Sequence, residues 1–171
     1  MTFDLYDFSY SRLRPNAATP RASLFTAVVG VARVGLPVAD VKAAVRLEAP
    51  IPAPLSPPEV AGLVNLRGRI VTVLRLDKCL GLATRAWESE RAALVVAHRG
   101  DDYALLVDAA EDVAVVDESA RIATPGHVNP AFAELVRACY HFGDGYLPAL
   151  DVGALIARLA RPGAPPKPCS L

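Results

Sequence analysis

Arg67 and Gly68 stand between two apolar runs, Leu63 to Leu66 and Ile70 to Leu76. Gly68 can take the positive φ of a tight turn, so the two runs read as paired strands. Such a turn displays the Arg67 guanidinium at a rigid tip, where its fixed fork of donors suits a carboxylate on another protein. Asn65-Leu66-Arg67-Gly68 is therefore a candidate binding turn. The remaining chemistry-bearing residues are scattered. His98, His127 and His141 accompany Cys139, but the chain has no Cys-x-x-Cys and no His-x-x-x-His, so no metal site is expected. No shaped nucleophile with a poised base stands out, and no glycine-rich phosphate loop occurs. Neither catalysis nor a cofactor is expected.

The elements that would position these residues are short. After the turn, alternation puts Ile70, Thr72, Leu74 and Leu76 on one face. Further valine-rich runs of strand length lie at Ala92 to Ala97, Tyr103 to Val107, Val113 to Val116 and Leu147 to Leu150. Leu24 to Val34 and Leu36 to Leu47 precede them. Gly100-Asp101-Asp102 reads as the turn of a second hairpin. One helix is well marked: Asp151 suits its N-cap, and Leu150 and Leu155 are spaced as a staple around it. Val152, Leu155, Ile156 and Leu159 form its apolar stripe, and Pro162-Gly163 ends it. Residues 130 to 138 are a candidate second helix. Many short strands without alternating long helices indicate an all-β barrel or sandwich, and composition does not choose between them.

The chain has 171 residues, 53% of them hydrophobic, enough for one ordinary domain or two very small ones packed together. Eighteen basic residues balance eighteen acidic ones, which argues against a polyanion such as nucleic acid as partner. A small-barrel nucleic-acid binder remains the alternative of another class, although basic and aromatic residues do not interleave on the central strands. Three widely spaced cysteines, Cys79, Cys139 and Cys169, suit a reducing cytoplasm rather than a disulfide framework. No apolar run approaches the ~20 residues that span a bilayer. Asp4 and Asp7 interrupt the N-terminus, so no secretion signal is expected. Residues 1–22, with Phe3, Tyr6, Phe8 and Tyr10, form a head without clear periodicity, and residues 161–171 a proline-rich tail.

Residues 62 to 82 resemble the signature hairpin of the CheW family, the bacterial chemotaxis coupling adaptors. Gly62, Asn65-Leu66-Arg67-Gly68, Ile70-Val71, Leu76 and Leu80-Gly81 carry the match in register. Leu36-Pro37-Val38-Ala39-Asp40-Val41 and the proline-rich crossing at residues 50 to 58 extend it upstream. Tyr103 to Asp108 and Asp112-Val113 extend it downstream, so the similarity runs over residues 23–160. The resemblance implies two small five-stranded barrels of SH3-like type, partly intertwined, with a groove between them and a C-terminal helix closing the end.

It also implies a cytoplasmic, non-enzymatic adaptor linking chemoreceptor tips to the regulatory domain of a CheA-type histidine kinase. An adaptor of a gliding- or twitching-motility pathway is the close alternative. On this reading the partner-binding residues are the turn Asn65, Leu66, Arg67 and Gly68, with Val38 and Val41 where the first barrel meets receptors. Arg75 joins them because it stands at a usual aspartate. Ala43 stands at a common glutamate and Thr72 at a usual proline. Asp77, two residues from Arg75, could neutralise it. Asp108 corresponds to a family aspartate and is read as a turn cap.

Overall fold

Continuous apolar runs such as Ala-Leu-Val-Val and Ala-Leu-Leu-Val have no polar face to give to water, so strands built from them must be covered on both sides. The computed structural model, which describes residues 20–84, 86 and 90–159, solves this with two sheets that share a core. The strands are β1 (Arg21–Val29), β2 (Ala32–Pro37), β3 (Val41–Leu47), β4 (Val60–Leu66), β5 (Arg69–Arg75) and β6 (Arg91–His98). They continue with β7 (Asp101–Val107), β8 (Ala109–Asp117), β9 (Arg121–Ile122), β10 (Val136–Phe142) and β11 (Gly145–Leu150). Among the described residues, helices α1 (Leu76–Cys79) and α2 (Pro130–Ala133) lie between strands and α3 (Val152–Leu159) follows β11.

Sheet one runs β8-β1-β2-β11-β10-β9 and sheet two runs β3-β6-β7-β5-β4. Sheet two is thus an insertion between β2 and β8, and sheet one is assembled from both ends of the chain. This is the intertwined two-unit β architecture that the resemblance implies. Sheet one has a sixth strand because two-residue β9 pairs with Tyr140 and Cys139 of β10.

Period-two alternation sorts the side chains into three cores. Leu47, Val71, Val73, Ala93, Ala104 and Leu106 fill the inside of sheet two. Leu24, Val116, Tyr140, Leu147 and Ala149 fill the inside of sheet one. The intervening residues (Leu74, Leu94, Val96, Leu105 and Val107 from one sheet, Ala27, Val29, Val34 and Leu36 from the other) meet in a shared core sealed by the helices. Leu94 and Leu105 are fully buried, and each such side chain contributes roughly 1.5–3 kcal/mol of transfer free energy.

Helix α3 follows its sequence markers. The Asp151 Oδ1 accepts the Ala154 amide at 2.8 Å, and Val152, Leu155 and Ile156 are buried with Leu159 packed beside them. Elsewhere boundaries move. Helix α2 ends at Ala133, so residues 136–138 belong to β10 instead of a helix. Leu76 opens α1 and does not continue β5, because the Leu80 amide closes back on the Leu76 carbonyl at 2.9 Å. The second hairpin turns at Arg99-Gly100, with Asp101 and Asp102 already in β7. Strand β1 begins at Arg21, opposite Asp117. Expectations for residues 1–19 and 160–171, the aromatic head, Pro162-Gly163 and Cys169 among them, lie outside the described residues.

Candidate protein-binding face of the second sheet

Arg67 and Gly68 close a two-residue hairpin in which Leu66 pairs with Arg69. Both central residues have positive φ, 52° and 81°, which is the type I′ turn whose twist matches the flanking strands. The Asn65 Oδ1 accepts the Gly68 amide at 2.8 Å and locks the tip. Asn65, Arg67 and Gly68 are exposed, as expected of a binding turn. Leu66 differs: it is half-buried against the interior of sheet two and holds the hairpin down.

The face of β5 that carries Leu74 in the shared core runs outward through Thr72 to Ile70, which is 68% exposed. Cross-strand register places Leu63 beside Thr72 and Asn65 beside Ile70 on that face, and Tyr103 of β7 next to Thr72. Val41 pairs with Val96 farther across the same sheet and packs half-buried at the rim of the shared core. The apolar face of the inter-sheet core therefore emerges into solvent beside the Arg67 turn, with Val41, Tyr103, Thr72, Leu63 and Ile70 in sequence. Ile51 joins it through a two-bond bridge to Leu63, with N···O distances of 2.9 and 2.8 Å, and is 74% exposed. Val38 sits in a short 3-10 turn (Val38–Asp40) and is buried, and its carbonyl accepts the Val41 amide.

Charges gather at the same end. Asp102 takes an ion pair from Lys42, and Arg69 Nη1 reaches its other oxygen at 3.4 Å. The Lys42 hydrogen bond is the main reason this carboxyl is held below its usual range. Arg75 lies apart from this end. It is only 22% exposed, its Nε stands 3.9 Å from the buried Asp77 carboxylate, and it lines a shallow depression of ≈ 390 Å³ with Pro50, Pro58 and Lys78. The Arg75–Asp77 proximity arises through the first turn of α1, not along a continued strand.

Asp108 does more than cap. Its Oδ2 accepts the Gly30 amide at 2.6 Å, and its Oδ1 receives Arg91 Nη2 at 3.2 Å. It stands where the chain passes from β7 of sheet two to β8 of sheet one, so it ties the β1–β2 turn to β6.

The two thiols among the described residues, Cys79 and Cys139, are buried. Burial, with the Glu59 carboxylate adding to it, pushes Cys79 up to about 12, and burial also raises Cys139. His127 bonds the Tyr146 hydroxyl at 2.9 Å, and no group of three or more metal-capable side chains is gathered among the described residues.

The sequence names the Arg67 turn and Val41 as candidates, and the structure sets Leu63, Ile70, Tyr103 and Arg99, which it did not name, at the same end of the sheet. The available signal was an isoleucine directly after an Arg-Gly-Arg turn, where strand alternation would have assigned it to the face opposite buried Val71.

Comparison with known proteins agrees with this fold. Residues 23–160 match the family model for the CheW-like domain. The chemotaxis protein CheW of Bacillus subtilis (strain 168) is 33% identical over 82 residues, 48% of this chain and 53% of that protein. The chain thus matches about half the length of that relative. The scaffolding protein TtCheW from Thermoanaerobacter tengcongensis superposes with a TM-score of 0.70 at 24% identity, over 80% of this chain and 92% of that one. At that identity the likeness speaks for the fold.

Proposed function

The chain belongs to the CheW-like domain family, and from that premise we propose that it is a non-enzymatic adaptor coupling chemoreceptors to a CheA-type histidine kinase in bacterial chemosensory signalling. The observation that carries this reading is the apolar face that leaves the shared core beside the Arg67-Gly68 hairpin. An apolar centre of Leu63, Ile70 and Tyr103 with a charged rim has the make-up of a specific protein interface. The partners are the cytoplasmic tip of a receptor and the regulatory domain of the kinase. Coupling is stoichiometric: contacts that differ between receptor states bias the kinase through the shared adaptor. The reading places the protein in the cytoplasm. No helix among the described residues is long and apolar enough to cross a membrane.

Calorimetry with a receptor-tip fragment and the kinase regulatory domain tests the proposal. Both should bind the native chain, and Ile70→Asp should weaken at least one of them tenfold or more while leaving the melting temperature unchanged. Failure of the native chain to bind either fragment would overturn the adaptor reading. Binding that ignores Ile70→Asp would move the interface elsewhere.

A further inference from the structure

Strands β5 and β7 are parallel neighbours, with Thr72 opposite Tyr103, so the hairpins that precede them turn at the same end of sheet two. Both turns are Arg-Gly. Arg99 has φ 52°, the value found for Arg67, and Gly100 has φ 92°, so the two tips share one backbone conformation. Asparagine or glycine takes the first left-handed position of such a turn at less cost, and arginine occupies it twice. Strain kept at an exposed charged residue points to a use for the side chain. Both arginines are exposed, and among the described residues neither guanidinium makes a hydrogen bond or ion pair. The nearby carboxylate of Asp102 is already taken by Lys42 and Arg69, while Asp101 and Asp40 are the other acids of this end.

We infer that Arg67 and Arg99 form a two-pronged cationic fork that takes a pair of carboxylates on an acidic helix of a partner protein. The turns are two strand spacings apart, about 10 Å. Carboxylates at positions i and i+7 of a helix are separated by about the same distance, at ~1.5 Å rise per residue. Planar forks suit carboxylates bidentately, and a chain of zero formal net charge is poorly built to hold a polyanion.

The inference rests on the reading of this sheet end as a partner-binding surface, and the test separates the two. Arg67→Gly and Arg99→Gly both relieve the left-handed strain, so each variant should fold at least as well as the native chain. Calorimetry against the kinase regulatory domain and the receptor-tip fragment, at two salt concentrations, should show each variant binding one and the same fragment about thirtyfold more weakly. The salt dependence should flatten in both. If Arg67→Gly weakens binding and Arg99→Gly does not, or the two act on different fragments, the fork is overturned while the surface stands. If neither variant changes binding, the fork is overturned, and Ile70→Asp alone decides whether the surface stands. A short DNA duplex serves as the anionic control, and binding to it as tight as to the protein fragments would overturn the carboxylate assignment.

Discussion

The α-carbon of Gly62 lies beneath the backbone of Ile51: a Cβ built on it would stand 2.2 Å from the Ile51 carbonyl oxygen. The φ of Gly62 is 146°, and the register of β4 against β5 slips at this residue. This close approach lets the proline-rich crossing bridge Leu63 and cover part of an edge strand that would otherwise present unpaired amides and carbonyls.

Gly62→Ala should therefore break the crossing away from β4. Backbone cannot yield as a flexible side chain can, so the expected cost is about 3 kcal/mol, from strain plus two lost hydrogen bonds. Gly68→Ala is the control, because open space surrounds that position and only the positive φ of 81° is penalised. It should cost about 1–2 kcal/mol. Urea denaturation of both variants measures the difference, and equal costs would mean that the crossing does not depend on Gly62. Gly68→Val adds β-branching to the same φ and should be worse than Gly68→Ala.

Arg67→Ala should leave stability within about 0.5 kcal/mol, since its side chain is exposed. Its affinity for the kinase or receptor fragment should fall by about 2 kcal/mol, roughly thirtyfold, as for an interface hot spot. Unchanged titration curves with both fragments would remove Arg67 from the binding surface.

Asp108→Asn removes charge from the joint between the sheets. The nearly buried Arg91 loses its pair to the Oδ1 carboxylate oxygen, and the Gly30 amide loses a charged acceptor. A loss of about 2–3 kcal/mol is expected, as for hydrogen bonds to charged groups. The informative measurement is hydrogen exchange at Gly30, which should quicken more than exchange in the interior of β7.

The Asp102 carboxyl is held low chiefly by its hydrogen bond from Lys42. A carboxylate whose pKa is lower folded than unfolded stabilises the fold fully above the unfolded value of about 3.9, and the effect fades as pH falls through the folded value. Asp102→Asn should thus melt lower than the native chain at pH 6, with a gap equivalent to about 1 kcal/mol or less, because Lys42 and Arg69 are largely exposed. The gap should close on acidification below about pH 4. A gap that widened on acidification would contradict the assignment.

Arg75→Asp would place a second acid beside the buried Asp77, whose side chain is only 4% exposed. Destabilisation by about 2 kcal/mol is expected, against little for Asp77→Asn combined with Arg75→Met. Thermal melts of the two variants decide whether Arg75 is held in place by folding. The double variant Arg75→Asp with Ala43→Glu, which carries the residues the resemblance implies, then tests partner choice only if it still folds. Native binding to non-cognate partners as tight as the variant's would make both departures neutral.

Local chemistry was legible in the sequence where one short segment decides the outcome. Asp151 capping α3 and Gly68 closing its hairpin need only their neighbours, and both were read correctly. The faces of β5 were harder. Alternation named Ile70, Thr72, Leu74 and Leu76 as one row, yet Leu74 lies in the shared core while Ile70 meets solvent, because sheet one covers only part of that row. Burial there depends on a second sheet distant in sequence, which no local period encodes. The expected helix over residues 130 to 138 stops at Ala133 for a similar reason: from Val136 on, pairing with β11 outweighs local propensity. Arg99 escapes notice because Gly100-Asp101-Asp102 reads as the turn, whereas the turn starts one residue earlier and Gly100 takes its second central position.

The assembly of sheet one from both ends of the chain bears on how the protein is made. Thr26 of β1 bonds the Asp112 carbonyl across 86 residues, and Arg21 reaches Asp117 across 96. During synthesis β1 and β2 emerge first and wait as a bare hairpin until β8 and β11 leave the ribosome, whereas sheet two can close while the chain is still growing. Such long closures slow folding, and the waiting hairpin offers two open edges to any neighbouring chain. Exposure of those edges to other chains is therefore longest in the interval between completion of β7 and release of β11.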